Sequence, residues 1–161
     1  MRYSFDLYNK AYCEIGALTP LSADCGKLCG AKCCSGDEND GMIVFPGEEK
    51  LLSSHGYTVT LREMNGFPVY FTSCNGRCNR VYRPLSCRIF PLAPILRNDT
   101  LEIIPDPRAK YLCPLLLADS VEEKFKAAVF RAFSHLIADE KVREMLNHYT
   151  AMLCEYSKFT D

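Results

Sequence analysis

A chain of 161 residues with a formal net charge of −1 is long enough to bury a core of its own. The balanced charge gives no electrostatic case for binding nucleic acid or a membrane surface. No run of about 18 apolar residues occurs, and the N-terminus M-R-Y-S-F-D-L-Y-N-K has no basic segment leading into an apolar one, so a soluble, cytoplasmic protein is expected. Ten cysteines are more than packing requires, and in a reducing compartment they are expected as thiols.

In chain order, residues 1–18 show no clear periodicity, and Cys13 stands alone there and reads as a buried free thiol. Thr19-Pro20 reads as a helix start, with Thr19 as N-cap and Pro20 at the first helical position. The helix leads into C-G-K-L-C-G-A-K-C-C, Cys25 to Cys34. On a helix Cys25, Cys29 and Cys33 line one face and Cys34 points about 100° away. Residues eight apart on a helix lie about 12 Å apart along its axis, whereas sulfurs on one tetrahedral ion lie within roughly 4 Å of each other. Cys25 and Cys33 therefore cannot share one ion on a straight helix. Either the backbone leaves the helix near Gly26 and Gly30, or the run serves two sites, and the adjacent pair Cys33-Cys34 favours two.

Ser35 to Gly41 is a turn-rich loop, Met42 to Phe45 a short apolar run closed by Pro46-Gly47, and Glu48 to Leu52 one or two helical turns. Tyr57 to Arg62 alternates like a half-buried strand, and Phe67 to Thr72 reads as its hairpin partner across Asn65-Gly66. Pro68 places that partner at an edge or at a strand start. The hairpin delivers C-N-G-R-C-N-R-V-Y-R-P-L-S-C-R-I-F-P. Cys74 and Cys78 flank a tight turn, and Cys87 follows with Arg83 and Arg88 on either side, guanidinium groups suited to stabilising nearby thiolates.

Pro91, Pro94, Pro105, Pro107 and Pro114 leave room for one short strand, Leu101 to Ile104, and Cys113 precedes the last of them. Ser120 with Glu123 forms a capping-box pattern. Val121, Phe125, Ala128, Val129, Ala132, Leu136 and Ile137, then Val142, Leu146, Tyr149, Leu153 and Tyr156, keep helical spacing. Two amphipathic helices packed as a hairpin follow from that spacing, with Cys154 in the core.

These elements predict one α+β domain over residues 1–161. A cysteine-bearing N-terminal helix and a small antiparallel β-hairpin form a metal region within 1–118, packed with a helical hairpin over 119–161. The candidate ligands are Cys25, Cys29, Cys33, Cys34, Cys74, Cys78, Cys87 and Cys113, with Arg83 and Arg88 around them. All-sulfur coordination suits structural zinc, and iron or an iron–sulfur cluster is the alternative. His55, His135 and His148 do not stand at ligand spacing to the cysteines. G-x-S-x-G, a phosphate-cradling glycine loop and H-E-x-x-H are all absent from the sequence. The partners expected are a metal ion and, in an interaction role, another protein.

The segment R-P-L-S-C-R-I-F-P, Arg83 to Pro91, with a cysteine run ending in C-C upstream, resembles the CxxCxxCC-type zinc- or iron-chelating domain family. Here C-x3-C-x3-C-C replaces the shorter spacing in the family's name. The resemblance covers about residues 25 to 115. It implies metal chelation and, because a related group includes flagellin lysine N-methylases, a link to protein methylation as its second implication.

Overall fold

A computed structural model describes residues 2–34, 40–73 and 79–160. Along the chain come helices α1 (Arg2–Ile15) and α2 (Gly26–Cys29), strand β1 (Gly41–Val44), helix α3 (Glu49–Ser54) and strands β2 (Val59–Met64) and β3 (Phe67–Ser73). Helix α4 (Leu85–Ile89), strands β4 (Leu92–Arg97) and β5 (Thr100–Pro105), and helices α5 (Pro114–Leu117), α6 (Glu123–Leu136) and α7 (Glu140–Thr160) complete the fold. It is an α+β arrangement, as the sequence indicates.

Helix α1 is not foreseen from its sequence. Its buried side chains Leu7, Tyr8, Ala11 and Ile15 form an apolar stripe of four residues, too short to stand out as a period. Cys13 lies off that stripe and is exposed, not buried. Helix α6 packs along α1, and Ala11, Ala128 and Ala132, each fully buried, let the two backbones come close. Phe133 meets Phe45 edge to face at 5.0 Å, a geometry aromatic quadrupoles favour. Arg131 closes the rim through an ion pair with Glu14 at 2.7 Å.

The expected hairpin across Asn65-Gly66 is β2–β3, and β1 joins its other side to give a three-stranded antiparallel sheet in the order β1-β3-β2. Pro68 sits at the second residue of the central strand, yet β1 pairs only with Tyr70 to Ser73. The missing proline N–H therefore lies beyond the reach of β1. The region given one strand holds two: β4 and β5 pair antiparallel with Pro94 opposite Ile103. A two-stranded ribbon leaves each strand an open edge, which is where a strand proline fits. Asn98 and Asp99 make the turn with φ of 51° and 59°, the left-handed pair of a tight hairpin turn that these residue types tolerate.

Both C-terminal helices are present, and their buried residues follow the predicted stripe as far as Leu153, whereas Tyr156 at its end is exposed. Each finds its main contacts elsewhere: α6 on α1 and the β4–β5 ribbon, α7 on β4 and the turn Pro107–Ala109. The Leu96 N–H donates to the Thr150 hydroxyl at 2.9 Å, pinning α7 to β4. Ser120 does not cap α6. Helix α6 begins at Glu123, the Ser120 hydroxyl donates to the Ala118 carbonyl, and Glu122 instead accepts from the Ser22 N–H at 2.5 Å. Cys154 is exposed, contrary to a core position, because the buried line runs through Tyr149 and Leu153. Among the described residues no helix is long and apolar enough to cross a membrane.

Two buried carboxyl groups organise the interior. Asp106 accepts from Arg108 through Nε at 2.9 Å and Nη2 at 2.6 Å, and the same Nη2 donates to the Tyr149 hydroxyl of α7. Glu48, fully buried, accepts from the Tyr12 hydroxyl at 2.5 Å, the Leu85 N–H at 2.7 Å and the Phe45 N–H at 3.3 Å. Burial raises its pKa from 4.5 to about 7 against the pull of those three donors. Tyr12 in turn is pushed above the usual phenol range by burial and by Glu48.

Replacing Arg108 by Met strands the Asp106 carboxylate and should cost about 3 to 5 kcal/mol in urea unfolding, more than an exposed arginine would. Glu48 makes a second prediction with a sign. The folded state holds its proton to a higher pH than the unfolded chain, so the contribution is complete below about pH 4.5 and is lost as pH rises through about 7, a change of roughly 3 kcal/mol. Unfolding midpoints measured across that window should fall with rising pH, and Glu48→Gln should flatten the fall.

Candidate metal centre

The helix expected across the cysteine run is broken. Thr19, instead of capping, donates its hydroxyl to the carbonyls of Leu21 and Ala23, which folds Pro20 to Asp24 into a turn. Asp24 accepts from the Gly26 N–H at 3.2 Å, and α2 runs for a single turn. Gly30 ends it in the left-handed region, φ 63° and ψ 29°, a conformation glycine enters without a Cβ penalty. Ala31 follows with φ 53°, and a 3-10 turn, Lys32–Cys34, completes the segment. The backbone thus leaves the helix at Gly30.

That break brings three of the thiols to one place, with Cys33 exposed and Cys25 and Cys29 half-buried. Cys25, Cys29 and Cys33 line one small cavity of about 30 Å³ together with Cys113, which arrives just ahead of α5; Leu28, Phe90, Pro91 and Leu115 are also in the wall. A space of this size approaches that of one water molecule. Cys34 stands beside it, its Sγ 3.9 Å from that of Cys33. The Cys29 thiol lies 3.7 Å from the Cys25 carbonyl. Cys87, on α4, is half-buried and does not line the cavity. Cys74 and Cys78 lie outside the described residues.

The electrostatics divide the thiols. Burial, and next to it the neighbouring Cys29 and Cys113, raise the pKa of Cys25, while Arg80 opposes the rise. A hydrogen bond joins Cys33 and Cys34; Cys33 is pushed up by it, and Cys34, favoured by it and by the charges of Arg83 and Arg80, is lowered to about 6. Arg88 turns another way: its Nη2 donates to the carbonyls of Arg80 and Val81 at 3.3 and 2.9 Å, and its guanidinium lies 4.7 Å over the Tyr12 ring. Arg80 is the charge that the sequence reading misses. One arginine among four between Arg77 and Arg88 carries no mark of its own, and only the turn Arg80–Tyr82 aims it.

The donor set suits a thiophilic cation: the Cys33–Cys34 separation is that of two sulfurs sharing a tetrahedral ion, roughly 4 Å. Among the described residues, however, no three His, Cys, Asp or Glu side chains already stand close enough to hold one. The histidines are engaged elsewhere. His55 stacks on Tyr82 at 4.0 Å, His148 on Phe67 at 3.8 Å, and His135 lies 3.4 Å from Glu14. No family model, no curated protein and no solved structure matches the chain.

In metal-free, reduced protein the Cys33–Cys34 pair should lose its first proton near pH 6, well below an ordinary thiol. Iodoacetamide labelling of this pair, followed by mass spectrometry against pH, should show that midpoint. Arg83→Gln removes a favourable positive charge and should move the midpoint upward.

Proposed function

We propose that this protein holds a thiolate-bound metal in a structural or interaction role, at the cavity between α2, the Lys32–Cys34 turn and the start of α5. Zinc is the ion that best fits a set of soft sulfur donors, with iron or an iron–sulfur cluster as the alternative. The observation that supports the reading is that Cys25, Cys29, Cys33 and Cys113, from two distant parts of the sequence, line one cavity. Cys34, Cys74, Cys78 and Cys87 are the further donors in this reading, in keeping with the resemblance carried by Arg83 to Pro91.

A physical need supports the same reading. Neither α2 nor the Lys32–Cys34 turn buries a single residue, so hydrophobic packing contributes little to holding this segment against α5. A bound cation would supply that tether, since the energy of filling a structural site is folding energy. Ligand thiols release protons as they bind, and the positive charges of Arg80 and Arg83 favour the thiolates left behind.

Elemental analysis of protein purified anaerobically is the direct test. Stoichiometric zinc, or iron with visible thiolate-to-iron absorbance, is the expected result. Cys29→Ser and Cys113→Ser should lower metal content and the thermal midpoint, whereas Cys13→Ser and Cys154→Ser, at exposed thiols away from the cavity, should change neither. Metal-free protein whose thermal midpoint is indifferent to chelators and to added zinc overturns the reading.

A further inference from the structure

A second and much larger cavity opens on the other flank of the Arg80–Tyr82 turn. Its volume is about 720 Å³, and its walls come from the C-terminal half of α1, from α3 with His55, and from Arg80, Val81, Tyr82 and Arg88. That size falls within the range of small-molecule sites, roughly 300 to 1,000 Å³. None of the cavity thiols Cys25, Cys29, Cys33 and Cys113 borders it, so its lining is distinct from that of the thiol cavity.

The wall has a consistent chemistry. Two guanidinium groups, Arg80 and Arg88, face a mostly apolar surface, and among the described residues no acidic side chain lines it. Among the described residues the Arg80 guanidinium has neither a hydrogen-bond acceptor nor a carboxylate partner. Arg88 spends Nη2 on two backbone carbonyls, and its Nε is buried without a hydrogen-bond partner among the described residues. The carboxyl group of Glu48, which accepts from the Tyr12 hydroxyl, is wholly buried and at neutral pH is only part ionised, so it does not cancel the charge of Arg88. Unneutralised positive charge against an apolar wall attracts an anion. The imidazole of His55 stacks on the Tyr82 ring with 21° between the planes. Both residues are exposed, and together they make a flat aromatic ledge in the same cavity.

From this combination we infer that the cavity between α1, α3 and the Arg80–Tyr82 turn binds a small planar aromatic anion, its ring against the His55–Tyr82 ledge and its acidic group toward Arg80 and Arg88. A carboxylate on a ring and the phosphate of a mononucleotide share this chemistry.

The three histidines give a direct readout, because their ring resonances in a proton–carbon NMR spectrum are few and His55→Gln assigns one of them. Titration with 1-naphthoate should shift the His55 signal saturably and leave His135 and His148 in place. Neutral 1-naphthalenemethanol should bind at least about tenfold more weakly, and raised salt should weaken naphthoate but not the alcohol. Arg80→Gln should weaken naphthoate by about tenfold with a well-dispersed spectrum retained, since among the described residues its guanidinium has no hydrogen bond or ion pair to lose; Tyr82→Leu should weaken naphthoate and alcohol alike. Adenosine monophosphate is the arm that separates the sources: tighter binding than naphthoate assigns the phosphate, weaker binding the carboxylate.

A second measurement uses Cys13, an exposed thiol in the cavity wall. Bound naphthoate should slow its alkylation by N-ethylmaleimide and leave that of Cys154 unchanged. Equal binding of acid and alcohol, unaltered binding by Arg80→Gln, or no saturable shift with any probe at millimolar concentration overturns the inference. Each outcome is read with or without metal in the protein, so failure here is distinct from failure of the metal reading.

Discussion

The carboxyl group of Glu48 accepts hydrogen bonds from the Tyr12 hydroxyl, the Phe45 N–H and the Leu85 N–H, so one buried side chain joins α1, the exit of β1 and the start of α4. Ser86, one residue further on, donates its hydroxyl to the Ile43 carbonyl at 2.6 Å, which fixes α4 against β1 a second time. Helix α4 is only five residues long and could not hold its own position by propensity. Anchored in this way, it carries Arg88 to the Tyr12 ring, and Arg88 in turn holds the Arg80–Tyr82 turn by its carbonyls. The large cavity and the charge beside the thiols both descend from that chain of contacts.

Asp106 and Glu48 are settled in the interior by different physics. Asp106 meets a guanidinium through two parallel bonds, the arrangement that best suits an ionised carboxylate. Glu48 meets only neutral donors and a more distant Arg88, and its proton is correspondingly harder to remove. The first is a stable ion pair that ties the Pro107–Ala109 turn to α7 through Tyr149. The second is a group whose charge depends on pH in the neutral range, set at the junction of three elements. A carboxylate with three hydrogen bonds in water-free surroundings still lacks the solvation it had outside, and the competition leaves the pKa up, not down.

Much of the α+β arrangement was legible because it rests on local signals: Asn65-Gly66 for the first hairpin, apolar spacing for α6 and α7. What was not legible depends on tertiary contact. The stripe Leu7, Tyr8, Ala11, Ile15 is too brief to announce α1, which exists because α6 covers it. The ribbon β4–β5 was obscured by Pro94, a residue that argues against a strand until one sees that the ribbon has open edges. The thiols of Cys25 to Cys34 were identified as a group, and the geometric objection to a straight helix was sound. What the sequence left open was which glycine would break it, and Gly30 does so in a conformation that Ala31 then shares. Cys113 joins through the long-range path of β4, β5 and the Pro107–Ala109 turn, which no local pattern encodes. Glu48 gave no signal at all, since a glutamate at the start of a one- or two-turn helix reads as an ordinary exposed charge.

Arg80 is common to both candidate sites, and that has an energetic consequence. Its charge favours the thiolate forms of Cys25 and Cys34, and the same half-buried guanidinium lines the large cavity. Arg83 adds its charge to Cys34 but does not border the cavity, and Arg88 borders the cavity while turned onto Tyr12. An anion beside Arg80 would therefore draw on a charge that the thiolates also use, and the two sites would weaken one another through it. The reverse holds for a cation among the thiols, which would itself take over the stabilisation of the sulfurs and free the arginine for the cavity. Electrostatics alone, acting over one shared side chain, is enough to couple two sites that have no thiol ligand in common.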